Sequence, residues 1–387
     1  MNYPEPPPEN QWNDALDDGP AIDPDEDESI VQPFDPAKIR VETRSMSLDL
    51  LLQRIRHDEL DLAPDFQRQA DLWKPHVKSR LIESMMILIP LPAFYMDATD
   101  EDEWIVIDGL QRLSTLKSFV LDNNLKLVDL EFLSELEGKT YSELPRNLQR
   151  RIMETQVIVY LIEKGTPPEV KFNIFRRINT GGIPLSPQEI RHALNQGKST
   201  ELLKELAKSS SFLKATAFSI PKSRMEDREF ILRFFAFKIV SYTKYNEQEF
   251  DSFLSNVMKD LNIMSDDIVV RLREEFINAM EIASEIFEDD AFRKRYNKGD
   301  KRKPINKALF ETWSVALSEL NTLDANKLKE RKSSLKDGFI DLNNDRSFDA
   351  SISQGTSNAI RVKFRFLAIH LLVQHILSDQ FCERFKL

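Results

Sequence analysis

Residues 104–120 read WIVIDGLQRLSTLKSFV, and this stretch decides the fold of the first half of the chain. It starts with apolar residues typical of a buried strand, and Asp108 and Gly109 then break that pattern. From residue 113 to residue 120, apolar side chains recur at the spacing of one face of a helix. The stretch therefore predicts a strand, a turn and a helix, in that order.

The same alternation extends outward from this stretch. Between residues 39 and 195, short apolar runs rich in Ile and Val alternate with amphipathic stretches. This pattern indicates an α+β domain with a small mixed sheet flanked by helices. The predicted strands cover residues 39–43, 93–97, 104–108 and 156–162. The predicted helices cover residues 48–56, 75–88, 113–121 and 145–153.

The second half of the chain has a different pattern. Beyond about residue 200 the strand signal fades, and long helical periodicities indicate an all-α helical bundle. They lie at residues 226–242, 266–287, 304–320 and 359–377. We therefore predict three parts: a tail at residues 1–37, an α+β domain at 38–200 and a helical domain at 201–387.

The tail at residues 1–37 holds the acidic excess of the protein. It contains 11 Asp and Glu, no Lys or Arg, and 8 of the 19 prolines, whereas the other 350 residues carry 53 acids and 53 bases. Such a composition buries too little apolar surface to fold alone, so we predict a disordered acidic tail. A solubilising linker is the favoured interpretation, and a decoy for nucleic acid or a cover over a basic site is the alternative.

Several classes of protein are disfavoured by composition. The acidic start does not resemble a signal peptide, and no apolar run approaches the ~20 residues that a membrane span needs. Cys382 is the single cysteine, which excludes an internal disulfide and a structural zinc site made of several thiolates. We therefore expect a cytoplasmic protein that does not engage a membrane.

The turn at residues 108–112 carries the chemistry. Backbone N–H groups at a helix N-terminus attract anions, Gly109 lets a phosphate approach the backbone, and Arg112 can fork two phosphate oxygens. Asp108 can hold a divalent metal or orient a water, and Gln111 can donate or accept at a γ-phosphate or an attacking water. Alternatively, Asp108 caps the helix and Arg112 pairs with a surface carboxylate. These residues alone leave both interpretations open.

A second turn lies between two helices whose starts are marked by capping boxes at residues 166–169 and 186–189. It contains two adjacent glycines, which can form an anion nest and make Asn179, Thr180, Gly181 and Gly182 candidate ligand-binding residues. A glycine C-cap followed by a tight turn explains the pattern equally well.

The stretch DGLQRLSTL at residues 108–116 resembles the Asp-Gly-Gln-Gln-Arg signature of the GmrSD restriction endonuclease N-terminal domain family. Further segments resemble the same family in the same order. They are PDFQR at 64–68, LIES at 81–84, FRRINTGG at 175–182 with LS at 185–186, and DREFILRF at 227–234. Several spaced matches are more specific than one short motif.

The resemblance implies a ParB/sulfiredoxin-like fold and a nucleotide-binding domain, in some members nucleotide-hydrolysing, used in bacterial defence. It implies that Gly109 and Arg112 grip phosphate, with Gln67 and Arg68 as a second strip of the same pocket. The expected ligand is a nucleoside triphosphate with Mg²⁺. Leu110 departs from the signature by replacing its first glutamine, which disfavours hydrolysis more than binding.

Other expected parts of a restriction system are absent from the sequence. We find no His-Asn-His nuclease pattern and no Walker-type loop, so nuclease activity is expected from a separate partner protein. The run at residues 293–303 holds seven Lys and Arg together with Tyr296. It can bind DNA phosphates without sequence preference, with the acidic tail as a competitor, or it can serve solubility alone.

Two functional hypotheses follow. The leading one is a nucleoside triphosphate-binding component, with NTPase activity as one version, of a bacterial anti-phage or restriction-type system. The rival is a non-enzymatic adaptor or regulator that binds DNA or protein on a ParB-like scaffold. A nuclease acting alone is the weakest interpretation, because the second half of the chain supplies no recognisable metal ligands.

Overall fold

The chain folds into two compact units. Among the described residues, 40–62 and 73–178 form one unit, called here the sheet unit, and 22, 186–246 and 250–378 form the other, called the helical unit. The helical unit thus begins before the predicted domain boundary at residue 200. Each unit has its own apolar core. The computed structural model describes residues 22, 40–62, 73–178, 186–246 and 250–378.

A mixed sheet forms the centre of the sheet unit. Its strands are β1 (Val41–Ser47), β2 (Leu60–Asp61), β3 (Phe94–Ala98), β4 (Trp104–Asp108) and β5 (Gln156–Glu163), in the spatial order β1-β5-β3-β4-β2. The pairs β1–β5 and β3–β4 are antiparallel, whereas β3–β5 and β2–β4 are parallel. The predicted α+β class with a small mixed sheet is confirmed.

Alternation along the strands gives the sheet two different faces. Phe94 and Met96 of β3 and Val159 of β5 are completely buried in the core of the unit. Tyr95 and Tyr160, which alternate with them, are only half-buried. We call the side that bears Tyr95 and Tyr160 the outer face.

Helices cover the core face. They are α1 (Leu48–Arg56), α2 (Pro75–Met86), α3 (Leu110–Leu116) and α4 (Arg146–Glu154), and α5 (Pro168–Ile178) follows the last strand. The chain continues from α3 through one π-helical stretch, Lys117–Leu121. The predicted apolar stripe of this helix is confirmed, because Leu113, Leu116 and Phe119 have no exposed surface.

Glu83 of α2 holds the loop that follows residue 130. Its carboxylate accepts hydrogen bonds from the backbone N–H groups of Glu131, Phe132 and Leu133 at 3.0, 2.7 and 2.8 Å. Burial alone would raise the pKa of Glu83, but these three donors outweigh it and lower the pKa below its ordinary value. The charged form is therefore the one that stabilises the fold.

Glu83→Gln is expected to lower the free energy of unfolding at pH 7 by about 1–3 kcal/mol, because charged acceptors bind backbone N–H groups more strongly than neutral ones. Because the pKa of Glu83 is lower in the folded protein than in the unfolded chain, its charged carboxylate stabilises the fold fully at pH values above the unfolded-state pKa. This stabilisation is lost as the pH falls through the folded-state pKa. Urea unfolding between pH 7 and pH 3 should show the difference from the parent protein shrinking. The matched control is the exposed Glu135→Gln, and an equal effect of both variants would contradict the expectation.

The helical unit consists of helices packed around an aromatic core. They are α6 (Pro187–Leu194), α7 (Lys198–Leu206), α8 (Ser210–Ala215), α9 (Glu226–Ile239), α10 (Phe250–Ile263), α11 (Asp266–Phe287), α12 (Lys307–Ser318), α13 (Thr322–Glu330), α14 (Lys332–Asn343), α15 (Arg346–Ser353) and α16 (Ala359–Leu377). The predicted helical second half is confirmed, and α11 and α16 have the predicted bounds. Within the described ranges, we find no helix whose length and apolar character would suit a bilayer span.

Candidate functional site

Gly109 sets the turn between β4 and α3. Its φ of 102° lies in the left-handed region that side chains disfavour. A Cβ atom built on Gly109 would lie 2.3 Å from Cδ1 of Phe94 and 3.3 Å from Nη2 of Arg112. Phe94 is completely buried and packed in the core. The turn therefore requires glycine for both its conformation and its space.

Arg112 ties this turn to the chain that precedes β3. Its guanidinium donates to the carbonyl oxygens of Pro92 and Ala93, the latter at 3.0 Å, and to the carboxylate of Asp108 at 2.9 Å. Its Cζ lies 4.4 Å from the centre of the Phe94 ring. Burial lowers the pKa of Arg112, although Asp108 acts in the opposite direction. Arg112 is thus a buried cation that holds the turn in place.

Asp108 is the accessible charge of the turn. Its side chain keeps 37% of its surface exposed, compared with 10% for the Arg112 side chain that it pairs with. The N-cap position of α3 is Gly109, one residue beyond Asp108. Gln111 is half-buried in the first turn of the helix. The structure therefore brings Asp108, Gly109 and Arg112 into contact, with Gln111 next to them along the chain.

Two tyrosines lie on the outer face beside this turn. Tyr95 is paired with Asp108 in the β3–β4 ladder and with Tyr160 in the β3–β5 ladder. The rings of Tyr95 and Tyr160 stack, with centroids 4.8 Å apart and planes at 18°. Burial raises the pKa of Tyr95, and the neighbouring Tyr160 and Asp108 raise it further. Sequence reasoning missed this pair, although the alternation of residues 94–97 places Tyr95 opposite the core.

A buried ion pair links β3 to α5. Lys171 donates to the carboxylate of Asp97 at 2.8 Å and to the hydroxyl of Thr99. The side chains of Lys171 and Asp97 are only 12% and 5% exposed. Sequence analysis did not single out these residues, because their pairing joins strand and helix positions 74 residues apart. The pair fixes α5 against the sheet.

The remaining predicted ligand-binding residues fall outside the described part of the chain. They are Gln67, Arg68, Asn179, Thr180, Gly181 and Gly182. The capping box predicted at residues 186–189 is confirmed. The Ser186 hydroxyl accepts from the Glu189 backbone N–H at 3.2 Å, and the Glu189 carboxylate accepts from the Ser186 backbone N–H at 2.7 Å.

Asp108 was also the predicted metal ligand. Among the described residues, no three His, Cys, Asp or Glu side chains cluster as a metal cage would require. Magnesium that arrives with a nucleotide is commonly held by one or two carboxylates together with the phosphates. A single accessible carboxylate at Asp108 fits that second kind of site.

The basic run at residues 293–303 is partly folded into the helical unit. Arg293 is 1% exposed and donates to the carbonyl oxygen of Asp289 at 3.0 Å and to the hydroxyl of Ser219 at 2.8 Å. Burial, with a smaller contribution from the nearby Arg302, lowers the pKa of Arg293 to about 10. Arg295 pairs with Asp290. These arginines stabilise the fold of the loop.

Other cations of the run face solvent. Lys298, Lys301 and Lys303 are exposed, and Lys298 lies 2.6 Å from Asp337. Ile22, the one described residue of the acidic tail, forms a parallel β-bridge with Ile305, just beyond the run. DNA contact through residues 293–303 stays a prediction that rests on the exposed lysines.

Residues 227–234 lie at the start of α9 and form part of a buried charge network. Glu229 accepts from Arg233 at 3.0 and 2.9 Å and from Arg191 of α6 at 3.2 Å. Lys307 of α12 lies 3.2 Å from the same carboxylate. Burial alone would raise the pKa of Glu229, but Lys307, Arg233 and Arg191 together hold it far below its ordinary value.

The network continues to α10 and α16. Arg191 also contacts Asp251 at 2.5 Å, and Arg233 lies 3.5 Å from Glu311, which pairs with Arg365. Burial raises the pKa of Glu311 and outweighs both of its arginines. The network therefore joins α6, α9, α10, α12 and α16 through charges removed from water.

One comparison with known proteins agrees with the motifs between residues 64 and 186, whereas the motif at residues 227–234 lies outside the matched range. A search of curated proteins gives no match to this chain. Residues 48–196 match the family model described as the GmrSD restriction endonuclease, N-terminal domain. This range includes the turn at residues 108–112 and confirms the resemblance drawn from it. The likeness to the GmrSD restriction endonuclease N-terminal domain family is therefore shown for residues 48–196.

Proposed function

We propose that this chain is a nucleoside triphosphate-binding component of a bacterial restriction-type defence system. The family of residues 48–196 supports the restriction context. The observation that carries nucleotide binding is the turn itself, where a half-exposed carboxylate at Asp108 lies beside a glycine and a buried cation. We also propose that the sheet unit has the ParB/sulfiredoxin-like fold that the resemblance implies.

The turn offers distinct contributions from its residues. Gly109 supplies the positive φ of the turn, which a side chain would strain, and so sets the backbone that a phosphate would approach. Arg112 positions Asp108 and keeps a positive charge beneath the turn. Gln111 can donate to and accept from a γ-phosphate or a water. Magnesium bound with the nucleotide would be held by Asp108 and would neutralise phosphate charge.

Binding and hydrolysis are separate parts of the proposal. Leu110 stands where the family signature has a glutamine, and it packs partly against the core of the sheet unit. An apolar side chain there cannot hydrogen-bond a water or a phosphate. We therefore propose nucleotide binding as the main activity and expect hydrolysis to be slow. Any nuclease of the system would be a separate protein.

Asp108→Asn is expected to weaken binding of magnesium nucleoside triphosphates by about tenfold or more, because it removes the charge and keeps the size of the side chain. The amide oxygen can still accept from Arg112, so the turn should stay folded. The measurement is calorimetric titration of the four ribonucleoside triphosphates with magnesium, together with phosphate release. The matched control is Asp122→Asn, an exposed carboxylate that pairs with Lys117 at 3.3 Å.

The outcomes of this experiment separate the hypotheses. If Asp108→Asn and the intact protein bind the nucleotide with equal affinity, the nucleotide binds at a site other than this turn. Tight binding without phosphate release would indicate a nucleotide-gated adaptor rather than an NTPase. No binding by the intact protein would overturn the proposal and favour the rival adaptor, whose exposed Lys298, Lys301 and Lys303 would then be tested for salt-dependent DNA binding.

A further inference from the structure

We propose that Tyr95 and Tyr160 form the platform on which the base of the bound nucleotide stacks. This inference rests on the proposed function, since it assigns the base to a surface beside the phosphate turn. Neither tyrosine belongs to a motif that carries the family resemblance.

The position of the pair supports this role. Tyr95 is the ladder partner of Asp108, so its Cα atom lies about 5 Å from that of the accessible carboxylate. Tyr160 lies one strand farther away, in register with Tyr95. A ligand whose phosphates occupy the turn after β4 therefore has aromatic rings on the next two strands of the same sheet.

The geometry of the rings supports it as well. The rings of Tyr95 and Tyr160 stack at 4.8 Å, and both side chains are half-buried, so part of the aromatic surface stays accessible. Each ring is held by its neighbour, so little conformational freedom remains to be lost when a base binds. Base-on-aromatic stacking tolerates any base, because every base has a π-face.

The phenol groups add a polar function. Burial, Tyr160 and Asp108 keep the pKa of Tyr95 above its ordinary value, so its hydroxyl stays protonated at neutral pH. A protonated phenol can donate to a base or ribose oxygen as well as accept. The pair thus offers both a flat apolar surface and a hydrogen-bond donor.

An ordinary cross-strand aromatic pair would have a different consequence. Such pairs stabilise a sheet by roughly 0.2–1 kcal/mol without contacting any ligand. A purely structural pair would therefore affect unfolding, and its loss would affect all ligands of the turn alike. A base platform affects ligands that carry a base and leaves a bare phosphate chain unaffected.

The experiment compares nucleoside triphosphates with inorganic tripolyphosphate, each with magnesium, on the full chain. Tyr95→Ala is expected to weaken nucleoside triphosphate binding about tenfold or more and to leave tripolyphosphate binding unchanged. Tyr95→Phe keeps the aromatic face and should retain most of the affinity. The control is Ile158→Ala, because the Ile158 side chain lies on the strand of Tyr160 and is 42% exposed. This substitution should change the affinity for neither ligand.

Each other outcome overturns the platform. Equal weakening of both ligands by Tyr95→Ala would assign the pair to folding alone. Unchanged nucleoside triphosphate binding would show that the base lies elsewhere. If the intact protein binds tripolyphosphate as tightly as nucleotides, the base contributes nothing to binding, which overturns the platform but not the phosphate site. If the intact protein binds neither ligand, the proposed function is overturned as well.

Discussion

Glu229→Ala is expected to lower the free energy of unfolding by about 3–5 kcal/mol, the cost of breaking a buried ion pair on one side. Glu229 lies within 3.2 Å of Arg191 and Lys307, and Arg233 donates to it twice. Its removal leaves three buried cations with too little negative charge around them. The measurement is equilibrium unfolding in urea, followed by circular dichroism.

The control for Glu229 is a carboxylate outside the core. Lys198 and Asp266 pair at 2.6 Å, but their side chains are 48% and 84% exposed. Water already screens that pair, so Asp266→Ala should leave stability nearly unchanged. Glu229→Gln keeps the shape of the side chain and should fall between the two. If Glu229→Ala and Asp266→Ala unfold at the same urea concentration, the buried charge network around Glu229 does not stabilise the protein.

Gly109→Ala is expected to lower the free energy of unfolding by about 2–4 kcal/mol and to reduce nucleotide binding. Its φ of 102° strains any side chain, and the added methyl group would meet the ring of Phe94 at 2.3 Å. Phe94 can move only by disturbing the core, and Arg112 lies over the same ring. Thermal unfolding and nucleotide titration would measure both effects.

Gly138→Ala separates the two causes. Gly138 also has a positive φ, 76°, but a Cβ there meets nothing within 4 Å. Its replacement should cost only the backbone strain, about 1–2 kcal/mol, and should leave nucleotide binding unchanged. If Gly109→Ala is no more destabilising than Gly138→Ala, the space around Phe94 is not limiting.

Strongly periodic elements could be predicted from the sequence. Strand β4 and helices α1, α11 and α16 have the predicted bounds, because each carries an uninterrupted apolar pattern. Strand β1 was predicted at residues 39–43 and lies at Val41–Ser47. It is polar, and its backbone pairing with β5 holds it in place, so hydrophobic patterning gave little signal. β2 is too short to have a periodicity.

The turn was predicted correctly in order but not in detail. The helix was expected to begin at residue 113, where its apolar stripe begins, whereas it begins at Leu110. The left-handed conformation of Gly109, rather than hydrophobicity, decides where the helix starts. The contacts of Arg112 with the carbonyl oxygens of Pro92 and Ala93 join positions about 20 residues apart, which local sequence cannot reveal.

Tertiary pairing explains what sequence analysis missed. Tyr95 and Tyr160 meet because β3 and β5 are neighbours in the sheet, although 65 residues separate them along the chain. Charged residues such as Glu229 look like surface positions when one helix is considered alone. They are buried because Arg191 and Lys307 bring opposite charge from other helices.

The pairing of Arg191 with Glu229 restricts how relatives of this protein can exchange segments by recombination. The family match ends at residue 196, so sequence comparison alone would suggest a crossover at that residue. It would nevertheless join Arg191 from one parent to α9 from another. A crossover between Leu185 and Ser186, where the compact units divide, would inherit the whole charge network from a single parent. Functional chimaeras should therefore favour the earlier junction.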